Sequence, residues 1–395
     1  MKVVYVLPVS WGGALHHIVE LANAISKYIN TTVIKPKDVP EKLFSNNVET
    51  INVFEPLSFS WGDVIECLSL KNVKSLFSFL KDISVIDEVK PDIVHFPEIY
   101  PHVSASIFLH KLHRKYPIIF SKHGVRVKFP LFYPARSFKS FFYNNILGTI
   151  YELAWKAINF DMIIVYNQEA KNALIQKNIN AKKIAIIPHG AYTFFKKYEK
   201  NYTEGEENCV LFFGIIREDK GIEYLIKAAQ IVSKKIPDLK VIIAGKGDFS
   251  KYYKYIKDFS LFEIHNEYIP DEKVPELFKR AKFVVLPYDR PSTLVKGGQS
   301  GVINIAYVFK RPVIATNVGA HMEYVENGKT GFIIPPKNVK ALADAMMKLL
   351  KDDELRKNMG KYAYKKAQTE LSGNNIAKMH IKVYEEVLNE RRKGN

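Results

Sequence analysis

Cysteine is nearly absent from this chain of 395 residues, which carries only Cys67 and Cys209. Two cysteines so far apart cannot form a disulfide framework and lack metal-ligand spacing, so a reducing, cytoplasmic setting fits best. Long apolar runs are missing too. The N-terminal run Val3–Leu7 stops at Pro8, too short for a signal peptide's hydrophobic region, and no later stretch reaches the roughly 18 residues of a membrane span. Low-complexity segments and internal repeats of 20–50 residues are absent. Acid is in deficit, with 41 acidic against 58 basic residues and a net charge of +17. Such a balance suits an anionic partner, whether nucleic acid, a membrane face or a phosphorylated small molecule. Zinc-finger spacing, basic-region heptads and aromatic RNP-type strands are all lacking, which argues against nucleic acid.

What the chain has is apolar mass, 47% hydrophobic and 13% aromatic, enough for two α/β cores of nearly two hundred residues each. Short apolar runs alternate with amphipathic stretches, the pattern of a parallel sheet wrapped by helices. Strands are predicted at Val3–Leu7, Ile93–Phe96, Ile118–Phe120, Met162–Val165 and Ile184–Ile187. Leu15, Ile18, Ala22, Ile25 and Ile29 recur at helical spacing after the Gly12-Gly13 turn. Residues 191–208 are polar and charged and read as a linker between a first domain, 1–190, and a second, 209–373. Strands in the second are predicted at Cys209–Phe213, Val241–Ala244, Phe283–Leu286, Pro312–Ala315 and Phe332–Ile334. A last helix over 374–395, striped by Ile376, Met379, Val383, Val387 and Leu388, could pack back on the first domain.

Ligands of open parallel sheets bind at the carboxyl ends of the strands, so the strand-to-helix loops should carry the function. The most informative is Phe213-Gly214-Ile215-Ile216-Arg217-Glu218-Asp219-Lys220-Gly221. It leaves a buried strand, sets two cations three residues apart and enters an amphipathic helix. Cations at a helix N-terminus oppose the dipole and are poorly motivated structurally. They make sense if the turn receives an anion, such as a diphosphate gaining charge as it leaves.

With these residues in place, the sequence resembles the retaining glycosyltransferases of family 4 (glycosyl transferases group 1), which have the GT-B fold of two Rossmann-like domains facing a cleft. The resemblance implies that Arg217 and Lys220 hold the donor diphosphate. It continues through Ile243-Ala244-Gly245-Lys246-Gly247, Arg311-Pro312-Val313-Ile314-Ala315-Thr316, Gly319, Glu323, Gly328 and Thr330-Gly331. In the first half it takes in Gly12-Gly13, Pro91–His95, His123-Gly124 and Ile187–Gly190. It implies donor contacts at Gly12, Gly13, Gly214, Lys246, Gly247, Tyr268 and Ile269, the base lying near the last four, and a contact between His123 and the transferred sugar. His189, where the family often has Asn, could be a hinge or a ligand contact.

One departure stands out. The family commonly has two glutamates before its Pro-Val-Ile-Ala strand, and the matching positions here are Gly297 and Ile305. What remains is a Gly/Ser turn whose Ser300, Gly301, Val302 and Ile303 open a helix and could offer N–H groups to the distal phosphate. Asp289 is the nearest spare carboxylate. No Asp-x-Asp occurs, so the leaving group would be neutralised by Arg217 and Lys220 with no metal or other cofactor.

Between Arg126 and Phe160 lie ten aromatics and five basic residues, Arg126, Lys128, Arg136, Lys139 and Lys156, against the single acid Glu152. Such a segment suits the headgroup region of an anionic bilayer, on the inner face of the membrane. Packing of the aromatics on the domain core is the other reading. The expected activity is transfer from a nucleotide diphosphate sugar to a hydroxyl of a glycan or lipid-linked acceptor. The missing glutamates keep open a degenerate nucleotide-sugar-binding subunit, or an epimerase of the same fold.

Overall fold

The structure is a computed structural model, described here for residues 1–7, 10, 12–55, 81, 83–97, 103–126, 158–199, 208–289, 295–298 and 300–394. It divides into two compact units, Met1–Pro188 with Gly373–Asn395, and His189–Ser372. The Arg126–Phe160 segment lies almost wholly outside the described residues.

The first unit is built on seven parallel strands, β1 (Lys2–Val6), β2 (Asn30–Pro36), β3 (Val48–Phe54), β4 (Ile93–Phe96), β5 (Ile118–Lys122), β6 (Met162–Val165) and β7 (Ile184–Ile186). Their spatial order is β3-β2-β1-β4-β5-β6-β7. Strands buried on both faces read as continuous apolar runs, and β6 and β1 do. The helix Gly12–Ile25 buries Ile18, Val19, Ala22 and Ile25. It begins at Gly12 itself and stops short of Ile29, so the two glycines form its first turn. Gly12 takes a φ of +76°, which favours glycine.

The C-terminal helix Gly373–Gly394 belongs to this unit and lies against Gly12–Ile25. At its far end Arg391 donates to both oxygens of Asp161 (2.7 and 3.0 Å) and to the His113 carbonyl. Burial works to raise the Asp161 carboxyl's pKa, but His113, Arg391 and the Ile118 N–H outweigh it and hold it at about 2.

The second unit repeats the plan with six parallel strands, β8 (Cys209–Phe213), β9 (Lys240–Ala244), β10 (Phe262–His265), β11 (Phe283–Leu286), β12 (Val313–Thr316) and β13 (Gly331–Ile334). Their order is β10-β9-β8-β11-β12-β13. The helix Ile222–Val232 buries Leu225, Ala228, Ala229 and Val232 against this sheet. In both units the order reverses beside the first strand, between β1 and β4 and between β8 and β11. The crevice at that reversal is where open parallel sheets take their ligands.

The stretch expected to be a linker is not all open. Thr193–Tyr198 forms a 3-10 helix of the second unit that buries Phe194 and Phe195, because the two aromatics outweigh the charges of Lys196 and Lys197 around them. Residues 200–207 lie outside the described residues.

Candidate active site

The loop after β8 is built by backbone contact. Gly214 N–H donates to the Ala244 carbonyl and Ile216 N–H to that of Lys246, tying the β8 exit to the β9 exit. A Cβ on Gly245 would meet the Gly214 carbonyl at 1.8 Å, and one on Gly247 the Ile216 carbonyl at 2.0 Å. Those two glycines let the exits interlock. Arg217 then precedes a single 3-10 turn, Glu218–Lys220, which Gly221 ends in the left-handed region at φ +63°. A Cβ on Gly221 would meet the Pro287 carbonyl at 2.0 Å, so the turn is pressed onto the exit of β11. Asp289 N–H donates to the Asp219 carbonyl across the same junction.

Lys220 Nζ consequently stands 3.6 Å from the centroid of the Tyr288 ring, a cation–π distance. The Tyr288 hydroxyl shares a hydrogen bond with Ser300 Oγ (3.1 Å). His321 also packs on the Tyr288 ring, 4.7 Å between centroids. His321 Nδ1 donates to the Thr316 carbonyl, and Thr316 Oγ1 donates to the Tyr288 carbonyl (2.7 Å). Burial pushes His321 down to about 4, with Lys220 acting in the same direction, so the imidazole is neutral at neutral pH. Lys220, Tyr288, Ser300 and His321 thus form one connected set over the β8/β11 reversal.

Arg217 is held differently. Its Nε and Nη2 donate to the two oxygens of Asp219, at 2.5 and 2.7 Å, in a bidentate pair. Burial raises the Asp219 carboxyl, but Arg217 and Lys220 outweigh that and hold it below the usual range. The Arg217 side chain is still about half exposed, against 16% for Asp219.

Of the other expected residues in this unit, Lys246 and Tyr268 are exposed, while Ile269 is buried. Gly247 N–H donates to Asn266 Oδ1, which sets the β9 and β10 exits side by side. Ser300 precedes the helix Gly301–Val308 without capping it, and Gly301 lies against the Tyr192 ring, leaving no room for a larger residue. Ile303 departs from expectation: its side chain is fully buried and its N–H donates to the Ser300 carbonyl, so it offers nothing outward. Ile305 is buried in the same helix, and Gly297 takes a φ of +68°. Glu323 is exposed, and Asp289 is buried. His189 is buried, its N–H donating to Tyr324 and its carbonyl accepting from Asn304 Nδ2 (2.6 Å).

In the first unit the residues expected to matter sit at the exits of β1 and β5. A Cβ on Gly12 would meet nothing within 4 Å, and Gly13 is exposed. His123 follows β5, half-buried, with its ring 4.7 Å from that of Tyr166 and 5.3 Å from that of His17. The Tyr166 hydroxyl and His17 Nε2 share a hydrogen bond (3.0 Å). Tyr288, His321, Tyr166 and His17 were not singled out by the sequence reading. The signal for all but His17 is position, within five residues of a strand's carboxyl end.

Two wound parallel sheets with a basic turn and its aromatic support at one reversal define the class, and the chain belongs to the glycosyl transferases group 1 family. It matches that family, described as Glycosyl transferases group 1, over residues 194–366, and Glycosyltransferase Family 4 over residues 11–193. Among curated relatives, the capsular polysaccharide biosynthesis glycosyltransferase CapM of Staphylococcus aureus is 26% identical over 58% of this chain and 62% of its own. The chain spans about half the length of the curated relatives it matches. Sucrose-phosphate synthase from Thermosynechococcus elongatus shares the fold at a TM-score of 0.72 and 20% identity, over 99% of this chain and 100% of that one. Anabaena HepE, solved in complex with UDP-glucose, does so at 0.67 and 15%, over 98% and 100%. The GT-B architecture of two parallel-sheet α/β domains is therefore the fold of this chain. Among the described residues no helix is long and apolar enough to cross a membrane.

Proposed function

We propose that this glycosyltransferase moves a sugar from a nucleotide diphosphate donor to an acceptor hydroxyl, with retention and without a metal. The observation that carries the reading is the turn Arg217–Lys220, pressed onto the β11 exit so that Lys220 rests on Tyr288 beside Ser300. Two cations on a rigid backbone at the sheet reversal suit a diphosphate whose charge grows as the sugar leaves. The complex of HepE with UDP-glucose supports a donor of this type. His123 contacts the sugar in this reading, and Lys246, Gly247 and Tyr268 lie by the base. The donor phosphate itself takes the acceptor's proton.

A thermal-shift screen of UDP-, GDP- and ADP-sugars finds the base. Release of nucleoside diphosphate only when acceptor is added is the expected second result. Release without acceptor points to a hydrolase, a changed nucleotide sugar with no release to an epimerase, and binding with neither to a degenerate subunit.

A lipid-linked or polysaccharide acceptor is part of the proposal, supported by the aromatic and basic residues between Arg126 and Phe160 and by the similarity to CapM. Each basic residue near an anionic bilayer contributes about 1 kcal/mol, enough for reversible binding. Vesicles with anionic lipid should sediment the protein at low salt and release it as salt rises, and indifference to them would remove the membrane from the account.

A further inference from the structure

The first unit buries a chain of polar side chains that the proposed reaction does not use. Tyr5 on β1 and His95 on β4 are partners in register, and Ser121 lies on the neighbouring β5. Over them the C-terminal helix brings Tyr384 and His380, both fully buried. The hydroxyl of Tyr384 is bonded to that of Tyr5 (2.7 Å) and to His95 Nδ1 (2.7 Å). His95 Nε2 is bonded in turn to Ser121 Oγ (2.8 Å). His380 stacks on the His95 ring, 5.9 Å between centroids. Its Nδ1 donates to the Ile376 carbonyl, so Nε2 carries no proton, and that atom is buried without a hydrogen-bond partner.

Burial holds both imidazoles in the neutral form. Neutral His95 has one donor and one acceptor nitrogen, so the run Tyr5–Tyr384–His95–Ser121 has a single hydrogen-bond direction along its length. An apolar core of the same shape would be as stable, and a connected polar chain adds a fixed geometry. That geometry ends at Ser121, two residues before His123. A second path leads to the same place. Tyr166, packed on the His123 ring, is close enough to Tyr384 to bear on that phenol's ionisation.

We propose that Tyr384, on the last helix of the chain, is a positioning residue for His123, acting through His95 and Ser121 on the turn 121–124. The importance of that turn rests on the reading of His123 as a sugar contact; the coupling itself does not. The test is the imidazole ¹H–¹⁵N spectrum of the full chain labelled at its 11 histidines. His123→Ala identifies the His123 signals. Tyr384→Phe should then shift the signals of both His95 and His123, and Ser121→Ala, a milder change at the other end, should do the same. Val387→Ala, a buried apolar truncation on the same helix, should lower stability and leave His123 where it was. His123 signals unmoved in folded Tyr384→Phe and Ser121→Ala proteins, or moved equally by Val387→Ala, overturn the proposal. The turnover of His123→Ala judges the sugar contact separately, since a wild-type rate there removes that reading and leaves the spectra to decide the coupling.

Discussion

The central strands of the two sheets do the same topological job with opposite chemistry. In the second unit β8 and β11 pair Val210 and Leu211 with Phe283 and Val284, all apolar, and every charged group of interest stands in the loops beyond them. In the first unit β1 and β4 pair Tyr5 with His95 inside the sheet, and Tyr384 and His380 cover them. A dry sheet can hold a charged loop through backbone alone, as Gly214 and Gly245 do. A sheet with polar groups in its core transmits the position of one side chain to the next. The difference separates a unit that presents fixed charge from one that aims a residue.

The largest effect should fall on the fixed charges. Arg217→Ala and Lys220→Ala should each slow turnover by about 10²–10³-fold in a folded protein, the scale of losing one donor to a developing anion. Wild-type rates in either variant would remove the phosphate role. Gly221→Ala comes next. It places a Cβ against the Pro287 carbonyl at a left-handed φ, and should cost roughly 2–4 kcal/mol in denaturant unfolding. An unchanged midpoint would show that the turn is not pressed onto β11.

Acid sharpens the comparison. His380 and His321 are held at about 4 and His95 well below its usual value, all by burial. The unfolded chain, titrating near 6.5, binds more protons between pH 6.5 and 4, so stability is lost as pH falls through that window. His380 and His321 each account for up to about 3 kcal/mol of that loss. With two of them in its core, the first unit should lose hydrogen-exchange protection at β4 before the second loses it at β12. Simultaneous loss would count against the contrast. Tyr288→Phe, which removes only the hydroxyl bonded to Ser300, should weaken nucleoside diphosphate binding by about tenfold or less, on the order of one hydrogen bond. In the proposed reading Arg217 and Lys220 neutralise the leaving group, so excess EDTA should change turnover least of all. Loss of activity restored by Mg²⁺ or Mn²⁺ would reverse that statement.

The second unit was the more legible from sequence. Five of its six strands are short, largely apolar runs, with only β10, which carries Glu263 and His265, escaping the reading, and Gly214–Gly221 announces a turn and two cations within eight residues. The support of Lys220 by Tyr288 could not be read, because it depends on where the β11 exit folds, 68 residues beyond Lys220. The first unit's chain was hidden by distance along the sequence, since Tyr384 meets partners 379 and 289 residues away. A lone His in an apolar strand such as Ile93–Phe96 says only that a partner must exist. Phe194 and Phe195 show the converse: charged flanks suggested an open linker where two aromatics decided for burial.

The account stands on the diphosphate being held by the Arg217–Lys220 turn. Calorimetric titration of UDP, GDP and ADP into the wild type and into the Arg217→Ala/Lys220→Ala double variant tests that directly. At least one nucleotide should bind the wild type, and the double variant should bind it at least about a hundredfold more weakly, since each lost charge-assisted contact is worth about 1.5–3 kcal/mol. Equal affinity for both proteins, or no binding to the wild type by any of the three, would contradict the account.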